Sequence, residues 1–526
     1  MSLLFSQKTR KIKIKFCLFL WILLFSFCAP HPQEKLQIAP PPVNAEAKVI
    51  EAETLTKRAC YVCFKQAFQI YEDLYAYPSL KKKLALQFLK TSLLLAFRTK
   101  EIGIINPTPL NTASTLILEN PELSGFLPCV KIVGSVWPKT KGVMRDIDPA
   151  YVWMIDKEEL EKIRQELKVK AASDEFMAYL HLATYCYYEY LAGEKEDISA
   201  YLKLYPDSRL VKYKNATCFE VNPELLQVIL QQEPEFYEVY YHLGDFALQS
   251  GKLLQAEGNL LKAFEGIPES PQITILLASI YFATEELERS LEFYEKTLAI
   301  TPDYREAMLG KAICLSYMGK SAEAIPILEN LISLGYMLMG ESYYWLAWNQ
   351  HELGKNEEAA ANIEQAKSRL PTDSEVFRLS GTMAFEKDDF DQAEKDFKEA
   401  LEYNPSNSEA LLGLGRLYVQ KDKWMDSGIY YEKAGVVLER TAEVILQKIR
   451  ELKESSLSEE RKNKLILKKK SQLQNAQAVA ATAFYNSAAQ YYNAGLKEKA
   501  LGTAEKAAFH PFLKQKAKEL ILKIKK

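Results

Sequence analysis

Small residues recur at a nearly constant interval through the second half of this chain. Gly244, Ala278, Ala312, Ala347, Gly381 and Gly415 are separated by 34, 34, 35, 34 and 34 residues. Another small residue follows each of them after 12 positions: Ala256, Ser290, Ala324, Ala359, Ala393 and Ser427. Small side chains let two helices cross closely, so the interval predicts a repeated pair of helices, A and B. In four units a proline then follows, where helix B should stop: Pro268, Pro302, Pro371 and Pro405.

This pattern resembles the tetratricopeptide repeat, a helix-turn-helix unit with small residues at the crossing of helices A and B. The unit from Ser374 to Asn407 matches the consensus at eight positions: Phe377, Gly381, Ala384, Phe390, Ala393, Phe397, Ala400 and Pro405. The resemblance implies an all-α solenoid of stacked helical hairpins, a right-handed superhelix with a concave groove. It implies a surface that binds a protein or a peptide, and it implies no reaction.

The groove can be assigned from the same resemblance, because helix A lines the concave wall in this family. The candidate partner-binding residues are Tyr241, Asp245, Phe282, Tyr344, Trp348, His351, Arg378, Phe385 and Arg416. Glutamate occupies the second position of helix A in most units. The wall lacks the Lys and Asn set with which chaperone-binding members hold a carboxylate, so we do not transfer that activity. Tyr344, Trp348 and Phe385 could anchor an apolar peptide; alternatively, they pack between neighbouring repeats.

The N-terminus has the charge and length of a secretion signal. Basic residues from Lys8 to Lys15 precede an apolar run, Phe16 to Phe27, which ends at Cys28 and a proline-rich stretch. The arrangement resembles a bacterial lipoprotein with lipidation at Cys28, although Phe27 departs from the small residue of that motif. Cleavage elsewhere and an uncleaved signal anchor are the alternatives. All three predict that the repeats lie outside the cytoplasm, and lipidation or an uncleaved anchor would attach the chain to a membrane of the cell envelope, facing the periplasm or the exterior.

The chain divides into eight predicted segments. They are a signal (1–28), a proline-rich tether (29–48), a helical hairpin region (49–103), an irregular insertion (104–155), degenerate repeat-like helices (156–236), six tandem repeats (237–439), a charged helical excursion (440–476), and a final repeat with a capping helix (477–526). Within the insertion, Val130 to Trp137 alternates like a short strand. The excursion should be broken near Ser455 to Ser458, and its charges are expected to be solvated or to face acidic partners or lipid head groups.

Composition narrows the possible functions. Hydrophobic residues make up 48% of the 526 residues, enough for a continuous core, and the net charge of −2 disfavours a nucleic-acid partner. Cys60 and Cys63 form a CxxC motif within the stretch Glu51 to Tyr77, which we predict to be one continuous helix. The motif lacks the flanking residues of redox or haem sites, so we interpret both as thiols packed in a core. Cys129, Cys186, Cys218 and Cys314 could pair, but the sequence does not show partners.

No catalytic motif with supporting spacing is present. The sequence lacks GxSxG, HExxH, phosphate-binding glycine loops and a strand followed by GxGxxG. We therefore predict no enzyme activity, no cofactor and no metal. Two alternatives stay open: an accessory lipoprotein of a solute transporter with a ligand cavity, and an enzyme whose site lies in the 104–155 insertion around Lys139, Arg145 and Asp146.

Overall fold

The computed structural model describes residues 40–135, 157–192, 198–218, 220–335 and 339–526. Every regular element within these ranges is helical. The part that precedes the repeats consists of the helices Ala45–Arg58, Tyr61–Tyr75, Pro78–Glu101, Thr108–Glu119, Leu127–Ser135, Lys157–Lys170, Glu175–Ala192, Ala200–Leu204, Arg209–Thr217 and Pro223–Gln232, with a 3₁₀ turn at Pro121–Phe126. The predicted signal and lipidation site, Cys28 included, lie outside the described residues.

Six helical hairpins follow, which we number repeats 1 to 6. Their A and B helices are Tyr237–Gln249 and Leu253–Gly266, Pro271–Ala283 and Leu287–Ile300, Arg305–Tyr317 and Ser321–Ser333, Met339–Glu352 and Asn356–Arg369, Ser374–Glu386 and Phe390–Tyr403, and Ser408–Gln420 and Trp424–Glu454. In repeats 1, 2, 4 and 5, helix B ends two residues before the proline expected to stop it. The predicted all-α solenoid is confirmed.

The small residues lie where helices A and B cross. A Cβ atom added to Gly381 would stand 2.7 Å from Cδ1 of Phe397, so no larger residue fits without moving that ring. Where serine replaces alanine on helix B, its hydroxyl crosses to helix A: Ser290 donates to the carbonyl of Ala278 at 2.8 Å, and Ser427 to that of Gly415 at 2.7 Å. The small residues that recur about every 34 positions therefore mark the point in each repeat where helices A and B approach most closely.

The sixth helix B is longer than the others and forms a long hairpin with its successor, Glu459–Asn493. The chain breaks between these helices at Ser455–Ser458, as predicted. We call Trp424–Glu454 the first arm of this hairpin and Glu459–Asn493 the second arm. Two glycines of the first arm allow close packing of aromatic rings from the second, because Cβ atoms at Gly428 and Gly435 would clash with Tyr491 and Phe484. Two shorter helices, Lys497–Phe509 and Lys514–Lys525, complete the chain, and the last one buries Ala517 and Ile524.

A buried charge network joins the N-terminal helices to repeat 1. Arg98, on Pro78–Glu101, and Glu238, on the first helix A, both have fully buried side chains and form an ion pair. The guanidinium carbon of Arg98 lies 4.0 Å from the ring centroid of Tyr213. The Nε atom of Arg98 lies 3.0 Å from Glu101, which also pairs with Lys214. A buried ion removed from its partner is strongly unfavourable, so these contacts fix how the two regions meet.

Backbone contacts and the core extend the same interface. The amide of Tyr61 donates to Glu238 at 2.7 Å, and Ser270 donates to the carbonyl of Ile102 at 2.6 Å. One apolar cluster runs from Ala45 to Cys314 and includes residues of both regions. The N-terminal helices and repeats 1 and 2 therefore share one hydrophobic core.

His242 is a pH-sensitive part of this interface. Burial, with Lys214 and Arg98 nearby, lowers its pKa from 6.5 to about 3, although Glu101 opposes the shift. The neutral ring is the folded form, and it bonds to the hydroxyl of Tyr213 at 2.8 Å. A lowered folded pKa means that stability present above the ordinary pKa is lost as the pH falls toward the folded one.

We expect His242→Gln to make the free energy of unfolding fall less steeply as the pH is lowered. The full linkage slope is ~1.4 kcal/mol per pH unit, but because His242 is only partly buried, we expect the variant to lose about 1 kcal/mol less stability than the wild type between about pH 6 and 4.5. Urea unfolding across this range measures it. His510→Gln, far from this interface, is the control, and an unchanged profile in His242→Gln would contradict the assignment.

Three local expectations need correction. Leu127–Ser135 is a helix that buries Ile132 and Val133, so the strand expected to begin at Val130 is wrong, and the described part of the insertion, 104–135, is mainly helical. Contacts with the neighbouring helices outweigh the short alternating pattern. The predicted continuous helix around the CxxC motif instead breaks at Ala59, whose φ is 67°.

The cysteines also differ from the prediction. Cys60 and Cys63 are buried as expected, but they are joined in a disulfide rather than present as thiols. A second disulfide links Cys186 to Cys218, which lie 32 residues apart. Cys129 and Cys314 are free and buried. Sequence spacing could not reveal these pairs. The first depends on the helix break at Ala59, and the second depends on which helices pack together in three dimensions.

Candidate functional site

A chain of aromatic side chains follows the A helices of repeats 2 to 4. We call Phe282, Tyr317, Trp345 and Trp348 the aromatic track. The ring centroids are 5.8 Å apart for Phe282 and Tyr317, 5.3 Å for Tyr317 and Trp345, and 5.9 Å for Trp345 and Trp348. Tyr317 is 59% exposed, and Phe282 and both tryptophans are half-buried. Solvent therefore reaches a row of rings already held by their neighbours.

A buried arginine marks the far end of the track. The guanidinium carbon of Arg378 lies 5.4 Å from the ring centroid of Trp348. Arg378 is 5% exposed and pairs with Glu375 at 2.7 Å and Glu409 at 3.0 Å, whose side chains are 52% and 67% exposed. The arginine thus holds two carboxylates in place beside the aromatic rings while leaving much of both in water.

The geometry places the track on the inner side of the solenoid. Consecutive A helices contact one another along the array. Tyr317 of repeat 3 lies within electrostatic range of Glu375, Arg378 and Glu409, which belong to repeats 5 and 6. Consecutive A helices approach one another more closely than consecutive B helices do, so the A helices form the inner side of the array.

The predicted groove residues fall into different environments. Tyr241 is 8% exposed and donates its hydroxyl to Gln272 at 3.0 Å, so it packs within the structure. Asp245 accepts a hydrogen bond from Gln249 at 2.8 Å. Tyr344 is 9% exposed and packs against the ring of Trp345, with 5.2 Å between the ring centroids. Tyr241 and Tyr344 are therefore buried packing residues, whereas Asp245 is partly exposed.

The remaining candidates lie near the far end of the wall. Phe385 packs against Phe390 at 5.7 Å, the imidazole of His351 lies 3.6 Å from the carboxylate of Glu386, and Arg416 is exposed. Sequence reasoning missed Tyr317 and Trp345, which stand one position beyond the groove sites of the family pattern. The aromatic run that includes Tyr343 and Trp348 was the available signal for Trp345; Tyr317 had none.

The long hairpin reaches back to the start of the array. Its tip, residues 455–472, contacts three glutamates of repeats 1 and 2 that we call the acidic corner: Glu257, Glu285 and Glu286. Arg461 donates to both carboxylate oxygens of Glu257, at 2.7 and 2.9 Å, and to Glu286 at 3.1 Å. The solvated face expected for this charged excursion is therefore engaged by the chain itself.

Further contacts join the tip to Glu285, in the turn between helices A and B of repeat 2. Lys469 and Gln472 donate to the two carboxylate oxygens of Glu285, at 2.8 and 2.6 Å, and Lys468 donates to its carbonyl. Hydrogen bonds from these groups outweigh burial and lower the pKa of Glu285, and Arg461 does the same for the pKa of Glu286. Both carboxylates are therefore ionised near neutral pH, as the basic tip requires.

The described residues bear on the remaining alternatives. Among them, no helix has the length and apolar character to cross a membrane, and no cluster of side chains suited to a metal is found. A cavity of about 320 Å³ opens between Pro223–Gln232 and repeat 1; it is lined by polar and apolar groups, among them Gln227, Phe246, Asn259 and Lys262. Lys139, Arg145 and Asp146, proposed for an enzyme site, lie outside the described residues.

Comparisons with known proteins match the repeat region. Three family models, each described as a tetratricopeptide repeat, match residues 384–426, 247–305 and 340–372. Protein O-mannosyl-transferase TMTC1 of Homo sapiens is 26% identical over 197 residues, which are 37% of this chain and 22% of that protein. The chain thus spans about a fifth of this curated relative.

Several solved structures are similar to parts of this chain. YrrB, described as a TPR protein with an unusual peptide-binding site, is 16% identical, with 36% of this chain and 97% of that one covered and a TM-score of 0.31. A tetratricopeptide repeat protein from Parabacteroides merdae is 15% identical, with coverage of 56% and 98% and a TM-score of 0.35. Pseudomonas aeruginosa PilF is 20% identical, with coverage of 39% and 91% and a TM-score of 0.34.

Proposed function

The chain is a tetratricopeptide-repeat protein, and from this premise we propose that it is a non-catalytic scaffold that binds a polypeptide segment along the aromatic track. The observation that carries the proposal is the row of partly exposed rings on the inner side of the solenoid. Rigid aromatic side chains offer a large contact area at a low entropic cost and often dominate binding energy. Repeats of this family generally serve as interaction surfaces.

Charge indicates which segment fits. Residues 237–439 contain 18 Lys and Arg against 34 Asp and Glu, so the six repeats carry a net charge of about −16. Glutamates stand six residues before the small crossing residue of four consecutive repeats, from repeat 3 to repeat 6: Glu306, Glu341, Glu375 and Glu409. We expect the partner segment to place an apolar or aromatic side chain on the track and Lys or Arg beside these glutamates.

Selection from random peptides tests the proposal directly. Peptides displayed on phage are selected on the full chain and then counter-selected on the variant Tyr317→Ala/Trp348→Ala. We expect the surviving peptides to combine basic residues with aromatic or large aliphatic ones. Failure to enrich any sequence, or enrichment of acidic peptides, would contradict the proposed surface.

We further propose that the scaffold is exported and tethered to a membrane of the cell envelope through Cys28. The basic and apolar N-terminus supports this, and so do the two disulfides, which are typical of oxidising compartments. We expect metabolic labelling with palmitate to mark the wild-type chain in the membrane fraction. Cys28→Ala should lose the label, whereas Cys17→Ala should keep it; a labelled Cys28→Ala chain would contradict the anchor.

The proposal assigns no reaction to this chain. The human relative is named as an O-mannosyl-transferase, but the match covers only 22% of it. The 197 matched residues are also no longer than the stretch of six repeats, 237–439. The role of transporter accessory would require a ligand cavity, and the cavity beside repeat 1 is open and lined by polar groups such as Gln227 and Lys262 together with apolar ones such as Leu243 and Phe246. A peptide-binding scaffold accounts best for the aromatic track.

A further inference from the structure

We propose that the hairpin tip and the acidic corner form an electrostatic latch, which closes the repeat array on itself and can open without unfolding either side. The contacts join residues that are between 175 and 204 positions apart in the chain. They are independent of the aromatic track, so the inference does not rest on the proposed binding function.

The latch completes a closed path of contacts through the molecule. Repeats 1 to 6 follow one another continuously, and the first arm of the hairpin, Trp424–Glu454, extends from repeat 6. At 1.5 Å per residue, this 31-residue helix is about 46 Å long, so it extends well past the 13- and 14-residue B helices of the other repeats. Arg461, at the start of the second arm, then meets Glu257 of repeat 1 and Glu286 of repeat 2.

The contact is made by polar and charged groups. The base of the hairpin shares apolar clusters with repeat 6 and the C-terminal helices. Among the described residues, none of the apolar clusters joins a residue of the tip to repeats 1 or 2. The guanidinium carbon of Arg461 lies 5.7 Å from the ring centroid of Tyr281, so the contact of the tip with this ring is also made by a charged group. Such an interface can separate without exposing a core.

The turn that carries Glu285 supports a dedicated contact. All six repeats have a residue with positive φ directly between helices A and B: Gly251, Glu285, Gly319, Gly354, Asp388 and Asp422. Glycine is the least strained residue in this conformation, and glutamate, with φ of 61°, is an unusual choice. At Glu285 both the carboxylate and the carbonyl bind the tip, which explains a side chain that the turn itself disfavours.

Overall charge favours the same closure. Residues 440–526 contain 19 Lys and Arg against eight Asp and Glu, opposite in sign to the repeats that they contact. The aromatic track lies within the closed path, between repeat 2 and the carboxylates of repeats 5 and 6.

Hydrogen exchange of the full chain, read by mass spectrometry, tests the latch through two variants. Arg461→Glu reverses the central charge, and Glu285→Gly removes a latch carboxylate while giving the turn the residue that repeats 1, 3 and 4 use. We expect exchange in residues 459–472 to become at least ~10-fold faster in both, with protection of the A and B helices of repeats 1 and 2 retained. Raising the salt concentration of the wild-type chain should act in the same direction.

Lys464→Glu is the matched control, because Lys464 is exposed on the same helix and undergoes the same charge change. It should leave exchange at the tip within about twofold of the wild type. X-ray scattering should show a larger radius of gyration for Arg461→Glu and Glu285→Gly than for Lys464→Glu. Unchanged tip exchange in both latch variants, or loss of protection throughout repeats 1 and 2, would overturn the proposal.

Discussion

Arg98→Ala should lower the free energy of unfolding by about 3–5 kcal/mol, the largest effect that we expect from any single substitution of a charged residue in this chain. The variant leaves Glu238 without its cation in a site where both side chains are fully buried. It also removes the cation that faces Tyr213 and Phe236. Equilibrium urea unfolding followed by circular dichroism measures the loss.

Two further variants separate the buried charge from lost packing. Arg98→Met with Glu238→Gln removes both charges, retains bulk, and leaves an amide oxygen that can accept from Tyr61. We expect this double variant to be at least ~2 kcal/mol more stable than Arg98→Ala, because no unpaired ion remains. Lys398→Ala removes a half-exposed ion pair and should change stability by less than ~1 kcal/mol. Equal losses for Arg98→Ala and Lys398→Ala would show that the network does not join the two regions.

Trp348→Ala should weaken the binding of a selected peptide by at least ~30-fold, which corresponds to about 2 kcal/mol. Trp348 contacts Trp345 on one side and Arg378 on the other, so its loss shortens the track and frees the arginine that positions Glu375 and Glu409. Titration calorimetry gives the affinity. Tyr403→Ala, on helix B of repeat 5, is the matched control and should bind within about twofold of the wild type.

The periodic part of the fold could be predicted from the sequence because its signals are local. Each crossing of helices A and B depends on residues 12 positions apart, and in four repeats helix B ends beside its own proline. The break at Ser455–Ser458 was predictable for the same reason, since short polar residues interrupt a long helical pattern. Family matches and the helical architecture confirm this level of the interpretation.

The contacts that join distant segments could not be predicted. Arg98 and Glu238 are 140 residues apart, and Arg461 and Glu257 are 204 apart, so no local pattern connects them. Glu238 illustrates the difficulty, because its position in helix A is a groove position in the family, whereas here the N-terminal helices cover it. Tyr317 shows the converse, since it lies outside the groove positions of the family pattern and yet its ring joins Phe282 to Trp345 on the track.

The position at which a peptide binds is the most direct test of this account. A photoreactive phenylalanine analogue placed at position 317 on the track, and separately at position 403 on helix B of repeat 5, would report which surface a selected peptide touches. We predict that irradiation crosslinks the peptide at position 317 and leaves it unlinked at position 403. Crosslinking at position 403, or equal yields at both positions, would contradict the assignment of the aromatic track as the binding surface.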